Sequence, residues 1–74
     1  MYHFDFQEPV LQLKGRNSLY IENYRKLQIY TDQLIRLTTK SGVLQVFGTQ
    51  LVIKYYSKED LEIHGWIDKI SFEK

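Results

Sequence analysis

Hydrophobic and polar residues alternate along most of this chain, and the alternation recurs in four related units. Each unit begins with a leucine, a glutamine or glutamate, and a second aliphatic residue, at Leu11–Leu13, Leu27–Ile29, Leu44–Val46 and Leu61–Ile63. A second alternating pair follows each triplet, at Leu19/Ile21, Ile35/Leu37, Leu51/Ile53 and, less regularly, Ile70/Phe72. A period of two is typical of a half-buried strand. The pattern therefore predicts an all-β protein of about eight short strands in four hairpin-like repeats.

Short polar segments between these strands favour an antiparallel meander. Turns are predicted at 15–17, 23–25, 31–33, 40–41, 48–49 and 56–58. They place these residues opposite one another: Leu13 and Leu19, Leu11 and Ile21, Ile21 and Leu27, Ile29 and Ile35, Leu27 and Leu37, Leu37 and Leu44, Val46 and Leu51, Leu44 and Ile53, and Ile53 and Leu61. Two pairs of opposite charge, Glu22 with Lys26 and Lys54 with Asp60, fit the same register.

Two features of this architecture remain open in the sequence. The alternation fails near the end, where either a bulge at Asp68–Lys69 or a loop over 65–68 would restore it. The alternative to the meander is a short β-solenoid with parallel stacking of like strands, in which Gln12, Gln28, Gln45 and Glu62 would form a ladder.

The chain is long enough for one domain, spanning 1–74, with an N-terminal extension at 1–9 and the repeat sheet at 10–73. A sheet with one apolar face must bury that face. We therefore expect the strands to close as a small barrel or sandwich, or to pack on a partner.

Aromatic side chains alternate with the predicted core residues and are expected to point outward. They are Tyr20, Tyr30, Phe47, Tyr56 and Trp66. They could form the second side of a twisted sheet, partly covered by residues 1–9. Alternatively, they could be contact residues of an interaction surface, since clustered exposed aromatics mark such surfaces. In a 74-residue chain the small core also favours a homo-oligomer.

Composition narrows the chemistry. Ten basic and nine acidic residues give a net charge of +1, so the chain has neither a strongly basic arm nor an acidic tail. Cysteine is absent, which removes disulfides and thiolate chemistry, and alanine is absent, as expected for strand composition. Its longest apolar run is 51–53, so no membrane span is predicted, and the N-terminus lacks the layout of a signal peptide.

No set of residues predicts catalysis, a cofactor or a metal site. His64 lies two residues from Glu62, which could orient its imidazole, but a histidine on the outer side of a strand is usually a surface residue. We therefore expect no enzyme. The alternative function is single-strand nucleic-acid binding by a small β-barrel, with aromatic platforms and the cations Lys14, Arg16, Arg25, Lys26 and Arg36. The near-zero net charge disfavours it.

The sequence resembles the YabP/YqfC sporulation proteins, most closely the YqfC branch, from Pro9 to Phe72. The resemblance is carried by Pro9 with Gly15, by 21–24, by Gly42 with Leu44, Val46 and Gly48, and by 63–67 with Ile70 and Phe72. It implies a role in endospore formation, in the cytoplasm of the mother cell and peripheral to a membrane. It also implies a protein partner that is a sporulation membrane protein, and it supplies no catalytic residues. We expect a non-enzymatic structural or interaction protein.

Overall fold

Residues 8–74 are described by a computed structural model, and all their regular elements are β-strands. The strands are β1 (Val10–Lys14), β2 (Ser18–Glu22), β3 (Tyr24–Tyr30), β4 (Leu34–Thr39), β5 (Val43–Tyr56) and β6 (Asp60–Glu73). They form one six-stranded sheet in the order β1-β2-β6-β5-β4-β3. The all-β prediction is confirmed, whereas the prediction of eight strands in four repeats is wrong.

Every strand pair of the described chain is antiparallel, so the solenoid alternative and its ladder of glutamines are wrong. Strands β3 to β6 form a meander as predicted. The β1–β2 hairpin, however, joins the sheet through β6 rather than β3. With β1 and β3 as its two outer strands, the sheet is not a closed barrel.

Strands β5 and β6 are longer than the predicted strands. In β5 the reason is that Gly48 does not form the predicted turn. A turn at 48–49 is wrong, since β5 runs through it and Val46 pairs with Ile35 and Ile70 instead of Leu51. A Cβ atom on Gly48 would lie 2.0 Å from the carbonyl oxygen of Trp66. Glycine at this point therefore permits a close backbone approach where the β5–β6 hairpin changes register, and does not reverse the chain.

The connection after β2 explains why β3 does not fold back on it. Asn23 adopts a φ of 67°, the left-handed conformation that asparagine tolerates. The backbone N–H groups of Asn23 and Tyr24 both donate to the carbonyl oxygen of Glu59, at 2.7 and 3.1 Å. The chain therefore leaves β2 at the β5–β6 connection and crosses to the far side of the sheet.

The predicted contacts across this connection are accordingly wrong. Ile21 pairs with Leu61, not with Leu27, and Glu22 pairs with Asp60, not with Lys26.

The remaining register predictions are partly confirmed. Four pairs are confirmed: Leu13 with Leu19, Leu11 with Ile21, Leu27 with Leu37, and Leu37 with Leu44. Two pairs fail in hairpins that contain a bulge, because Tyr30 rather than Ile29 pairs with Ile35, and Ile53 pairs with Ile63 rather than Leu61. The pairing of Lys54 with Asp60 and of Leu44 with Ile53 is also wrong.

The irregularity near the end of the chain is a bulge. Phe47 pairs with Lys69 and Gly48 with Ile67, so Asp68 has no opposite residue. The bulge at Asp68–Lys69 is confirmed, and the alternative loop over 65–68 is wrong because β6 is continuous.

Ten aliphatic side chains form the core, and they come from β2, β4, β5 and β6: Leu19, Ile21, Ile35, Leu37, Leu44, Val46, Leu51, Leu61, Ile63 and Ile67. The two outer strands contribute no fully buried residue. The predicted covering of the outer face by 1–9 falls largely on residues outside the described part. Within residues 8–74, no helix is long and apolar enough to span a membrane.

Candidate interaction surfaces

An apolar groove opens between β3 and the end of the β5–β6 hairpin. We call it the tyrosine groove, and its lining residues are Tyr24, Leu27, Tyr30, Ile53, Tyr56 and Leu61. Its volume is about 390 Å³. Its walls are the edge of β3 on one side and residues of β5 and β6 on the other, so the groove is the gap where the bent sheet does not close.

Bulges place two of the predicted contact tyrosines in this groove. Tyr30 pairs with Ile35 and Tyr56 with Leu61, so both lie on the face of the sheet that carries the core. Register shifts between Leu27 and Ile29 and between Ile53 and Tyr55 produce this orientation. The expected outward orientation of Tyr30 and Tyr56 is therefore wrong, although both rings stay exposed because the groove is open.

Two tyrosine hydroxyls bridge the gap that backbone hydrogen bonds would otherwise close. The Tyr24 hydroxyl donates to the carbonyl oxygen of Ser57 at 2.6 Å. The Tyr30 hydroxyl accepts from the backbone N–H of Ile53 at 2.8 Å. Burial raises the pKa of Tyr24, and the charges that Tyr56 and Asp60 can carry raise it further. Tyr24 therefore stays protonated at neutral pH and remains a donor.

The sequence pattern does not indicate Tyr24 as a groove residue, because it predicts a turn at 23–25. A usable signal was the pair of tyrosines at both ends of one strand, Tyr24 and Tyr30, on either side of Leu27. The aliphatic members of the groove were assigned correctly to the core side but not to an opening in it.

A polar depression of about 270 Å³ lies beside the groove and shares Tyr24 with it. Its other lining residues are Asn23, Arg25, Lys58 and Glu59. Over the two segments that border the groove, 24–30 and 53–61, the charged residues are four exposed cations, Arg25, Lys26, Lys54 and Lys58, and two carboxylates, the exposed Glu59 and the half-buried Asp60. This end of the molecule is therefore locally cationic, although the whole chain carries only +1.

The other three predicted contact residues lie on the outer face, each with a polar neighbour of its own. The Tyr20 hydroxyl donates to an Asp60 carboxylate oxygen at 3.3 Å. Desolvation is the largest cause that raises the pKa of Tyr20, and the charge of Asp60 raises this pKa further. Lys69 lies over the ring of Phe47 at 5.4 Å from its centroid.

Trp66 is about half exposed, and Arg16 lies over its ring at 5.1 Å from the centroid. The structure thus brings Tyr30 and Tyr56 together in the groove and leaves Tyr20, Phe47 and Trp66 outside it. A contact role for the outer three stays a prediction.

His64 and Glu62 are in contact through His64 Nε2 and Glu62 Oε2, as their spacing suggested. Both side chains are more than a third exposed and neither lines the groove or the depression. Residues 8–74 contain no group of three or more histidine, aspartate or glutamate side chains suited to a metal ion.

These observations define a class: a small all-β protein built on one bent antiparallel sheet, with an open groove where the sheet fails to close. Comparison with known proteins identifies the family. The YabP family model matches residues 7–74, and the chain belongs to that family. The chain is also 33% identical over 64 residues to the uncharacterized protein YqfC of Bacillus subtilis (strain 168), covering 86% of this chain and 69% of that protein. The resemblance inferred from the sequence is therefore confirmed.

Proposed function

We propose that this protein is a non-enzymatic interaction module of endospore formation that binds a partner protein in the tyrosine groove. The carrying observation is the groove itself, an apolar opening lined by exposed tyrosines at an unclosed edge of the sheet. Tyrosine is enriched in protein–protein interfaces because its ring is apolar and its hydroxyl can still form hydrogen bonds. The sporulation role is proposed from membership of the YabP family.

Charge indicates what kind of partner segment would fit. Leu27, Ile53 and Leu61 form an apolar floor, which suits aliphatic or aromatic side chains. The cations around it favour carboxylates, since complementary charge steers association and excludes partners of like charge. We therefore propose an extended segment of a partner protein, carrying apolar side chains and acidic residues. Its source is a membrane protein of the sporulating mother cell, and the module works at that membrane from the cytoplasm.

Base stacking is less well supported by the same surfaces. The rings of Phe47 and Trp66 each carry a cation of the chain itself, Lys69 and Arg16, over one face. A stacked base would have to displace that cation or use the other face of the ring. The groove tyrosines donate to or accept from the backbone and are thereby held in place.

The direct test measures binding of labelled peptides by fluorescence anisotropy. The probes are extended peptides with alternating leucine and glutamate, matched peptides with lysine for glutamate, and single-stranded DNA. We expect the acidic peptides to bind at least about tenfold more tightly than the lysine peptides, with a loss of affinity at high salt. Equal binding of both peptide series, or tighter binding of DNA, would contradict the proposal.

A pair of variants locates the site. Tyr56→Ser removes the most exposed groove ring, and Trp66→Ser removes a ring outside the groove that is about half exposed. We expect Tyr56→Ser to weaken peptide binding about tenfold and Trp66→Ser to change it less than about twofold. The opposite order would place the site on the outer face.

The cellular role needs its own readout. In a spore-forming bacterium that carries this chain, Tyr56→Ser should reduce the yield of heat-resistant spores, whereas Trp66→Ser should not. Normal sporulation after deletion of the whole gene would contradict the sporulation role, while leaving the binding result intact.

A further inference from the structure

The outer strand β1 is the most exposed strand of the described sheet. All five of its residues are exposed, and no other described strand lies on its outer side. Leu11 and Leu13 pair with Ile21 and Leu19, so they lie on the core face, yet they are 37% and 52% exposed. The apolar face of the sheet is therefore continuous as far as this edge and is uncovered there.

The features that normally prevent edge-to-edge pairing lie only at the two ends of this edge, where Pro9 precedes the strand and Lys14 is its last residue. Its register with β2 is regular over all five pairs, with no bulge, and its one charged residue is Lys14 at the end. Native proteins usually protect a free edge with bulges, prolines or central charges. An edge that is regular and apolar over its centre instead indicates a strand that is paired in the functional state.

We infer that the partner at this edge is β1 of a second copy, in a two-fold symmetric, antiparallel pairing centred on Gln12. In this register, Leu11 of one copy lies opposite Leu13 of the other, twice, and Gln12 lies opposite Gln12. Backbone groups of alternate residues on an edge strand point away from the sheet and would form the ladder. The two six-stranded sheets become one.

Side-chain chemistry selects this register among the symmetric ones. Centring the pair on Leu11 would place Leu13 opposite Pro9, and centring it on Leu13 would place Leu11 opposite Gly15. Only the Gln12 register pairs leucine with leucine at both positions.

The contact is small, since each copy contributes one strand. Standard stable interfaces bury about 800 Å² per partner. We therefore expect a dimer that forms in the micromolar range and dissociates on dilution. This inference is independent of the proposed partner binding, because the tyrosine groove is formed by other strands.

Sedimentation equilibrium over a concentration series tests the pairing and its register. The variant Leu11→Lys/Leu13→Lys places two lysines opposite two lysines and should be monomeric. The variant Leu11→Lys/Leu13→Glu loses the same apolar side chains but places lysine opposite glutamate in the Gln12 register, so it should still dimerise. Circular dichroism checks that both variants fold. Wild type that is monomeric throughout, or a double-lysine variant that dimerises like wild type, would overturn the inference.

Disulfide trapping gives a second, independent measurement, because the wild-type chain contains no cysteine. Gln12→Cys should form a covalent dimer on mild oxidation, since directly opposed Cα atoms lie within disulfide range. Gln28→Cys, an exposed glutamine on the other outer strand β3, is the matched control and should cross-link at least about tenfold more slowly. Equal rates would overturn the inference. If the disulfide forms only after residues 1–7 are removed, those residues and not a second copy occupy the β1 edge. That result would also overturn the inference.

Discussion

The two outer strands of the sheet, β1 and β3, differ in how strongly they are protected against pairing with another strand. Strand β3 has two register shifts against β4 and carries adjacent cations, Arg25 and Lys26. Strand β1 has neither a bulge nor a central charge. Bulges and charges discourage pairing with another strand. The difference teaches that only β1 is suited to backbone pairing.

Strand β3 is poorly suited to pairing with another strand, but it forms one wall of the tyrosine groove. Its bulges rotate Tyr24, Leu27 and Tyr30 to the same side of the strand, facing the β5–β6 hairpin. Two of these side chains then form hydrogen bonds across the gap. One outer strand therefore exposes backbone groups along a regular edge, and the other carries side chains that line a groove. Each predicted contact follows from that division.

The largest expected effect concerns Gly48, where β5 and β6 change register and the bulge bends the sheet between the side that carries β3 and the side that carries β1. Gly48→Ala places a Cβ atom against the Trp66 carbonyl oxygen, a backbone atom that cannot move aside. We expect a loss of at least about 3 kcal/mol in the free energy of unfolding, measured with urea. Both sides should be lost together, since β5 and β6 run through the bend.

The matched control is Gly15→Ala in the β1–β2 turn. A Cβ atom there meets nothing within 4 Å, and only the φ of +59° opposes it. Its cost should be about 1 kcal/mol and should be confined to the β1 end. Equal losses for the two variants would show that the close approach at Gly48 is not what shapes the bend.

The two glycines also show how far the sequence could predict the fold. In the β1–β2 hairpin, which has no bulge, alternation fixes the register, and the pairing of Leu11 and Leu13 with β2 is predictable from it. Nothing in a local pattern distinguishes a glycine that turns the chain from one that lets two strands approach closely. For that reason the sequence predicts a turn at Gly48 and two short strands, where the structure has the single strand β5.

Contacts between distant segments were also beyond local reasoning. Strand β2 pairs with β6 because Asn23 and Tyr24 donate to Glu59, about 36 residues away in sequence, and no short-range signal encodes that choice. The groove was missed for a related reason. A single bulge reverses which face a side chain occupies, so the alternation that predicts core residues misassigns Tyr30 and Tyr56 beyond the bulges.

A smaller effect tests the hydrogen bond that holds β3 to the hairpin. Tyr24→Phe removes the donor to the Ser57 carbonyl oxygen and should cost about 1 kcal/mol. Hydrogen exchange should then accelerate for amides of β3 while those of β1 keep their protection. Tyr20→Phe, which removes a longer hydroxyl bond on β2, is the control and should leave β3 unchanged. Equal acceleration in β1 and β3 would mean that the two edges open as one unit.

The smallest effect is a dependence of stability on alkaline pH. Burial, and then Tyr56 and Asp60, raise the pKa of Tyr24 in the folded state above its ordinary value of 10.0. The folded state therefore binds the proton more tightly than the unfolded state, so this contribution to stability is fully present below pH 10 and is lost as the pH rises through the folded pKa. A Tyr24 phenolate also cannot donate to Ser57.

Urea unfolding of the wild type should therefore shift to lower denaturant above pH 10, with a shallower dependence for Tyr24→Phe. Tyr20, whose pKa is raised by desolvation and by Asp60, contributes in the same direction from β2, so a double Tyr20→Phe/Tyr24→Phe variant should be shallower still. A slope that responds only to Tyr20→Phe would place the alkaline sensitivity at the β1–β2 side of the sheet. The groove would then not be the end of the molecule that loosens first.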